Sequence, residues 1–178
     1  GTNLASINIV REKEIGTIEQ INVTPIQKHI FIIGKLIPFW IIGMLVLSIG
    51  LLIARLAYGI IPVGSFLTIY VFAALYLLAV LGLGLLISTY AFNQQQAMLI
   101  SFFLMMIFIL LGGLYTSIDS MPEWAKWITY FNPVSYFIEV MRMVVLKGSD
   151  LADIKYHMLK MAGFAVVLNG WAVFSYKK

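Results

Sequence analysis

Apolar and polar positions separate along this chain into long blocks rather than alternating. Gly1 to Val10 carry no charge, and a dense charged cluster begins at Arg11 and continues, more thinly, to Lys35. Leu36 to Ala54 is then uncharged over 19 residues, Arg55 interrupts, and Leu56 to Ile118 runs for 63 residues without a charge. A mixed stretch from Ser117 to Lys160 follows, and Met161 to Tyr176 is again uncharged before the terminal lysines. A helix needs about 20 apolar residues to cross a bilayer. The blocks therefore predict spans at 36–54, 63–90, 97–116 and 161–176, the long block being divided by a tight turn at Asn93-Gln94-Gln95-Gln96. Pro38 falls in the first turn of its predicted span, where a missing N–H costs little. Gly1 to Val10 would rise only about 15 Å as a helix, roughly half a hydrocarbon core. The segment has no basic n-region and is not a signal peptide. It reads as the end of a span that begins before this sequence does.

The charged cluster carries helix punctuation of its own. Ile15, Ile18 and Ile21 recur every three residues, with Glu14, Glu19 and Gln20 elsewhere on the surface. Thr24-Pro25-Ile26-Gln27 has the form of a second helix start, with Thr24 as N-cap, Pro25 as first helical residue and Gln27 closing a capping box. Ile26, Ile30 and Ile33 then keep helical spacing to Lys35. Periodicity leaves two readings open, a pair of short amphipathic helices broken at Thr24-Pro25 or a solvated loop. The 117–160 stretch is similar in kind. Trp124, Trp127, Ile128 and Phe131 mark one apolar face, Asn132-Pro133 breaks the helix, and Phe137, Val140, Met141 and Val144 form a second stripe on which Glu139 and Arg142 are spaced to pair. About 11 residues of helix between Pro122 and Pro133, roughly 16 Å, cannot cross a membrane. A tryptophan-bearing helix pair lying at the interface or dipping into it is the expectation.

Composition agrees with the blocks. Hydrophobic residues make up 61% and charged residues 11%, against roughly 25% charged in soluble domains, and the mean hydropathy is +0.95. The fold class is an all-α, multi-span membrane protein. Cysteine is absent, which excludes disulfides and thiolate metal sites, and a net charge of +4 spread along the chain is no nucleic-acid footprint. Orientation cannot be taken from lysine and arginine, which divide six to six between the two sides.

Two motifs carry a resemblance. Arg11-Glu12-Lys13-Glu14-Ile15-Gly16-Thr17-Ile18-Glu19-Gln20, continuing to Val23-Thr24-Pro25, resembles the cytoplasmic loop between the second and third spans of bacterial ABC type-2 transporter permeases. Met121-Pro122-Glu123-Trp124, Asn132-Pro133-Val134-Ser135-Tyr136, Arg142 and Lys147-Gly148 are similar to the family's segment before its last span. The resemblance implies that 11–35 carries the coupling helix, with Arg11, Glu12, Glu14, Ile15, Gly16, Thr17, Ile18, Glu19 and Gln20 docking a separate ATP-binding subunit. It implies that Pro122, Trp124, Trp127, Asn132, Pro133, Tyr136 and Arg142 belong to an extracytoplasmic helix-break element at the outer end of the translocation path, serving as gate or as anchor. It further implies a bacterial inner-membrane permease that pairs with a second copy or a paralogue, and a chain that corresponds to the C-terminal part of such a protein. Residues 1–178 would then be the C-terminal part of one transmembrane domain.

The chemistry within the sequence fits that expectation. Gly34-Lys35 is followed by Leu36 with no glycine five residues upstream, so no phosphate-binding loop is present. Gly82-x-Gly84 lacks a third glycine and reads as a packing feature, as do the small pairs Gly50/Ala54 and Gly84/Ser88. His29 and His157 are solitary, and no catalytic, cofactor-binding or metal-ligating set is expected. Met105, Met106, Phe102 and Phe103 are expected to pack between helices, and Asn169 to bond a neighbouring helix. The predicted spans hold none of the Asp, Glu or His that ion-coupled carriers place inside the membrane, so uphill transport would draw on ATP and Mg in a partner subunit. The alternative function is a non-transporting sensor or assembly protein that uses 11–35 as its contact.

Overall fold

The computed structural model describes residues 2–15, 28–115 and 118–175. Among these are seven α-helices and a single 3-10 turn at Ile118–Ser120, and no strand. In chain order the helices are α1 (Thr2–Ile15), α2 (Lys28–Tyr58), α3 (Phe66–Tyr90), α4 (Gln94–Leu110), α5 (Glu123–Tyr130), α6 (Pro133–Lys147) and α7 (Lys155–Ser175). Helices α2, α3 and α7 are long and apolar enough to cross a membrane, and α4 is a shorter apolar helix.

The helix α3 is the axis of the bundle. Thirteen of its residues are buried, and from Ala79 to Leu85 every one is, so neighbours surround it at that level. Two glycines allow this. A Cβ on Gly84 would stand 2.7 Å from the Thr2 carbonyl oxygen of α1, and one on Gly82 would stand 2.5 Å from the Asn169 side chain of α7. The helices approach through the missing side chains, as the sequence pattern predicted. Asn169 donates from Nδ2 to the Leu78 carbonyl at 2.9 Å and to its own helix at Ala165 at 2.8 Å. Helix α1 presents a stripe of Thr2, Ala5, Ser6, Ile9 and Val10, all buried, at the spacing of one helical face. Its small residues bring α1 within hydrogen-bond reach of its neighbours, Thr2 Oγ1 on the Val80 carbonyl at 3.2 Å and Ser6 against Ser101 of α4 at 2.9 Å.

Helix α2 is as apolar as α3, yet of its described side chains only Ile32 and Leu36 are buried. So large an unburied apolar surface would not persist in water; its solvent is hydrocarbon. The chain is an all-α integral membrane protein.

The helix boundaries differ from the charge boundaries in instructive ways. No break falls between Lys28 and Leu36: α2 is 31 residues long, about 46 Å against a hydrocarbon core of about 30 Å. Lys35 lies within it and reaches Asn8 Oδ1 of α1 at 3.3 Å. Pro38 is consequently in the interior of α2 rather than in its first turn. The glutamines predicted as a turn instead open α4. Asn93 caps that helix by accepting from the Gln96 N–H at 2.8 Å, and the Gln96 side chain accepts from the Phe92 N–H at 2.9 Å, leaving only Ala91–Asn93 to reverse the chain. Helix α7 likewise begins at Lys155, ahead of its uncharged run. Polarity reports where a helix leaves the membrane, and caps report where it stops. Phe102, Phe103 and Met106 are exposed, and Met105 reaches α1, its sulfur accepting from Thr2 Oγ1 at 3.7 Å.

Candidate functional site

Two clusters of sequence-predicted residues lie at opposite ends of the bundle. The first is the end of α1. The helix runs without interruption from its buried stripe into Arg11 and on to Ile15, where Arg11, Glu14 and Ile15 are exposed. Glu12 also falls within α1. Gly16, Thr17, Ile18, Glu19 and Gln20, and the Thr24-Pro25 start, lie outside the described residues. Glu14 is not idle at this surface: one carboxylate oxygen accepts from the backbone N–H of Gln94 at 2.9 Å and the other from the Gln94 side-chain amide. Those two bonds, the side-chain one foremost, hold its pKa below the ordinary carboxylate value. The contact ties the charged end of α1 to the first residue of α4, 80 positions on, and no sequence spacing announces it.

The second cluster is the helix–break–helix. Helix α4 has 17 residues and α3 has 25, a difference of about 12 Å. Starting from the adjacent turn, α4 therefore ends well short of the level where α3 begins; the Ile107 and Ile109 carbonyls accept from the Leu111 and Gly112 N–H groups, and other carbonyls at its end need side-chain partners. Side chains of the elbow supply the donors. Asn132 Nδ2 bonds the Phe108 carbonyl at 2.7 Å, Thr129 Oγ1 the Leu111 carbonyl at 3.3 Å and Arg142 Nη2 the Gly113 carbonyl at 2.9 Å. The elbow also satisfies itself. Asn132 Oδ1 caps α6 by accepting from the Val134 N–H at 3.0 Å, Ser135 donates to the Thr129 carbonyl at 3.0 Å, and Tyr136 donates to the Tyr130 carbonyl at 3.0 Å. Pro133 occupies the first position of α6, where no N–H is needed. Phe137 stacks on Tyr76 of α3 at 4.3 Å between ring centroids, ten residues or about 15 Å below the start of α3. Helix α6 thus enters the bundle at its N-terminus and climbs back out. Near its other end the Val144 and Val145 carbonyls accept from the Gly64 and Val63 N–H groups. Val140 and Val144, from the predicted apolar stripe, are fully buried.

Not every predicted pairing forms. Arg142 is turned to Gly113 rather than to Glu139, giving a partner to a backbone carbonyl just beyond the end of α4. Glu139 instead meets His157 Nε2 at 3.3 Å, which places His157 in the packing between α6 and α7. Trp124, Trp127 and Phe131 point away from the protein, with exposures of 64%, 67% and 69%, while Pro122 serves as the N-cap position of α5. Between the elbow, the end of α4 and the start of α7 lies a cleft of about 890 Å³. Among the described residues no three His, Asp or Glu side chains are grouped to hold a metal.

A family model described as ABC-2 type transporter matches residues 1–146. The probable multidrug ABC transporter permease YbhR of Escherichia coli (strain K12) is 35% identical over 156 residues, 88% of this chain and 42% of the relative. The probable multidrug ABC transporter permease YbhS of the same organism is 34% identical over 173 residues, 96% of this chain and 45% of the relative. The inner membrane transport permease YhhJ, also from that organism, is 27% identical over 145 residues, 79% of this chain and 38% of the relative. The chain therefore spans less than half the length of these curated relatives.

Proposed function

The chain belongs to the ABC-2 type transporter family, and from that premise we propose that it is the membrane-spanning permease part of an ATP-driven exporter in the bacterial inner membrane. It lines the translocation path together with a second copy or a paralogue. Arg11 to Gln20 dock an ATP-binding subunit on the cytoplasmic side, and ATP and Mg are held by that subunit. The observation that carries the docking reading is α1 itself, which passes unbroken from a buried face into an exposed, charged end beside the Ala91–Asn93 turn. A push on that end is delivered directly to α3 and α4, the helices against which α1 packs. Helices α5 and α6 close the opposite, extracytoplasmic end. Their bonds to the last carbonyls of α4 favour an element that moves with α4 over a flap hinged at Pro133.

The test is capture of the ATP-binding subunit by the full-length protein carrying Glu12→Lys, Glu14→Lys and Glu19→Lys together. Membrane insertion should be unchanged, and both capture and permease-dependent ATP hydrolysis should fall by about tenfold or more, as truncating charged contacts at an interface does. Undiminished capture would remove these carboxylates from the docking surface.

A further inference from the structure

The cleft at the elbow has a charge balance that coupling does not require. Lys126 of α5, Arg142 and Lys147 of α6 and Lys160 of α7 line it, against Asp119 and Glu139. Four cations face two carboxylates, and among the described residues neither Asp119 nor Glu139 forms an ion pair with any of the four. Glu139 is engaged by His157 at 3.3 Å, and Lys126 meets only the exposed Glu123, outside the cleft lining, at 3.8 Å. Arg142, Lys147 and Lys160 have no carboxylate within ion-pair distance among the described residues. The Lys160 ammonium is held instead over the rings of Tyr136 and Tyr156, at 4.9 and 4.5 Å, and 3.4 Å from the Tyr136 hydroxyl. Three helices thus aim cations at one concavity. Its 890 Å³ is ample for a small anionic group.

What surrounds the cleft identifies the source of that anion. Trp124, Trp127 and Phe131 stand exposed on the same elbow, and exposed tryptophans of this kind mark the headgroup level of a bilayer. Leu146, 70% exposed, forms an apolar lip of the cleft beside Lys147. A cationic pocket beside an apolar exit for acyl chains suits a phospholipid phosphate, whose oxygens accept charge-assisted hydrogen bonds from Arg and Lys. We propose that the cleft between α5, α6 and α7 is a binding site for the phosphate of an anionic phospholipid headgroup, with Arg142 and Lys160 inside and Lys126 and Lys147 at the rim. Arg142 spends one guanidinium nitrogen on Gly113, and the remaining donors of its fork suit phosphate oxygens. The site is independent of ATP-driven export and would exist in a protein that transported nothing.

The experiment uses the full-length protein, purified and stripped of lipid, titrated with dioctanoyl phosphatidylglycerol, dioctanoyl phosphatidylcholine or inorganic phosphate and read by native mass spectrometry and thermal midpoint. Phosphatidylglycerol should bind saturably, one per chain, about tenfold or more tighter than phosphatidylcholine, and raise the midpoint. The double variant Lys126→Gln, Lys147→Gln touches no buried hydrogen bond. It should keep the lipid-free midpoint and lose about tenfold in phosphatidylglycerol affinity only. Equal affinity for the two lipids, or undiminished phosphatidylglycerol binding by the double variant, overturns the site. Inorganic phosphate that matches phosphatidylglycerol in affinity and displaces it would mean that a free anion, not a lipid, is the ligand, and the lipid assignment falls.

Discussion

The two ends of the bundle are built by opposite rules. At the elbow, α4 stops short, and Asn132, Thr129 and Arg142 each reach a carbonyl at its end while Asn132, Ser135 and Tyr136 satisfy the elbow itself. At the other end, among the described side chains, α1 meets α4 beyond its buried stripe through Glu14 and Gln94, at an exposed surface. The contrast follows from where each backbone ends. A helix terminus within the membrane can find partners only in the protein, whereas one that projects into water is satisfied by solvent and needs few bonds. The elbow is consequently held by several buried bonds, and the described end of α1 by one exposed pair, Glu14 on Gln94.

The sharpest way to break the comparison is at Asn132, which is fully buried and bonds both α4 and α6. Asn132→Ala strands the Phe108 carbonyl and removes an N-cap, and should cost about 2–4 kcal/mol, read as a fall in the thermal midpoint of the full-length protein in detergent. Pro133→Ala leaves both bonds in place and should cost about 1 kcal/mol or less. If the proline substitution were the more damaging of the two, the break would be owed to the ring and not to the amide.

Next in size are the glycines. Gly84→Ala would place a methyl 2.7 Å from a backbone oxygen of α1, which cannot turn away as a side chain can, and should cost about 1–3 kcal/mol. Gly50 of α2 has nothing within 4 Å of a Cβ, so Gly50→Ala should be neutral or stabilise by up to about 1 kcal/mol through helix propensity. The same pair of variants sharpens the reading of α2. A Gly50→Ala chain that keeps its midpoint but loses self-association on size exclusion would place a second chain over that face.

These positions also mark how far the sequence could be read. Apolar blocks located every long helix, because hydrocarbon selects composition directly, and Asn132-Pro133 located the elbow, because cap and ring act within three residues. Gly82, Gly84 and Asn169 were recognisable as packing features for the same local reason. The continuity of the 28–35 stretch with the 36–54 span was not, since Lys35 is a charge near a membrane boundary and no obstacle to a helix; the Thr24-Pro25 start lies outside the described residues. The bonds from the elbow to α4 span 18 to 29 positions. They depend on α4 being short, which its unbroken apolar run to Ile118 concealed. The Arg142–Glu139 spacing favoured a surface pair that a distant carbonyl outcompeted. Glu14 stood out as one charge among several, with nothing to distinguish the one that meets Gln94.

Glu14 gives the smallest expected effect on stability and the most direct measure of the loose end. Its carboxylate is fully exposed, so Glu14→Ala should leave the thermal midpoint unchanged within error. Its consequence should be positional. With no native cysteine to remove, spin labels placed at positions 15 and 92 of the full-length protein report the distance between the end of α1 and the turn before α4. At neutral pH the parent distribution should be narrow and that of Glu14→Ala broad. The pH dependence has a definite sign. The folded-state pKa is depressed by the Gln94 bonds, so the tether is fully present above the ordinary carboxylate value and is lost only as pH falls through the depressed one. The parent should therefore broaden on acidification to that range and nowhere near neutrality, and Glu14→Ala should show no transition there. A parent distribution that stays narrow through full protonation would show that the buried stripe of α1, and not its carboxylate, holds the helix end against α4.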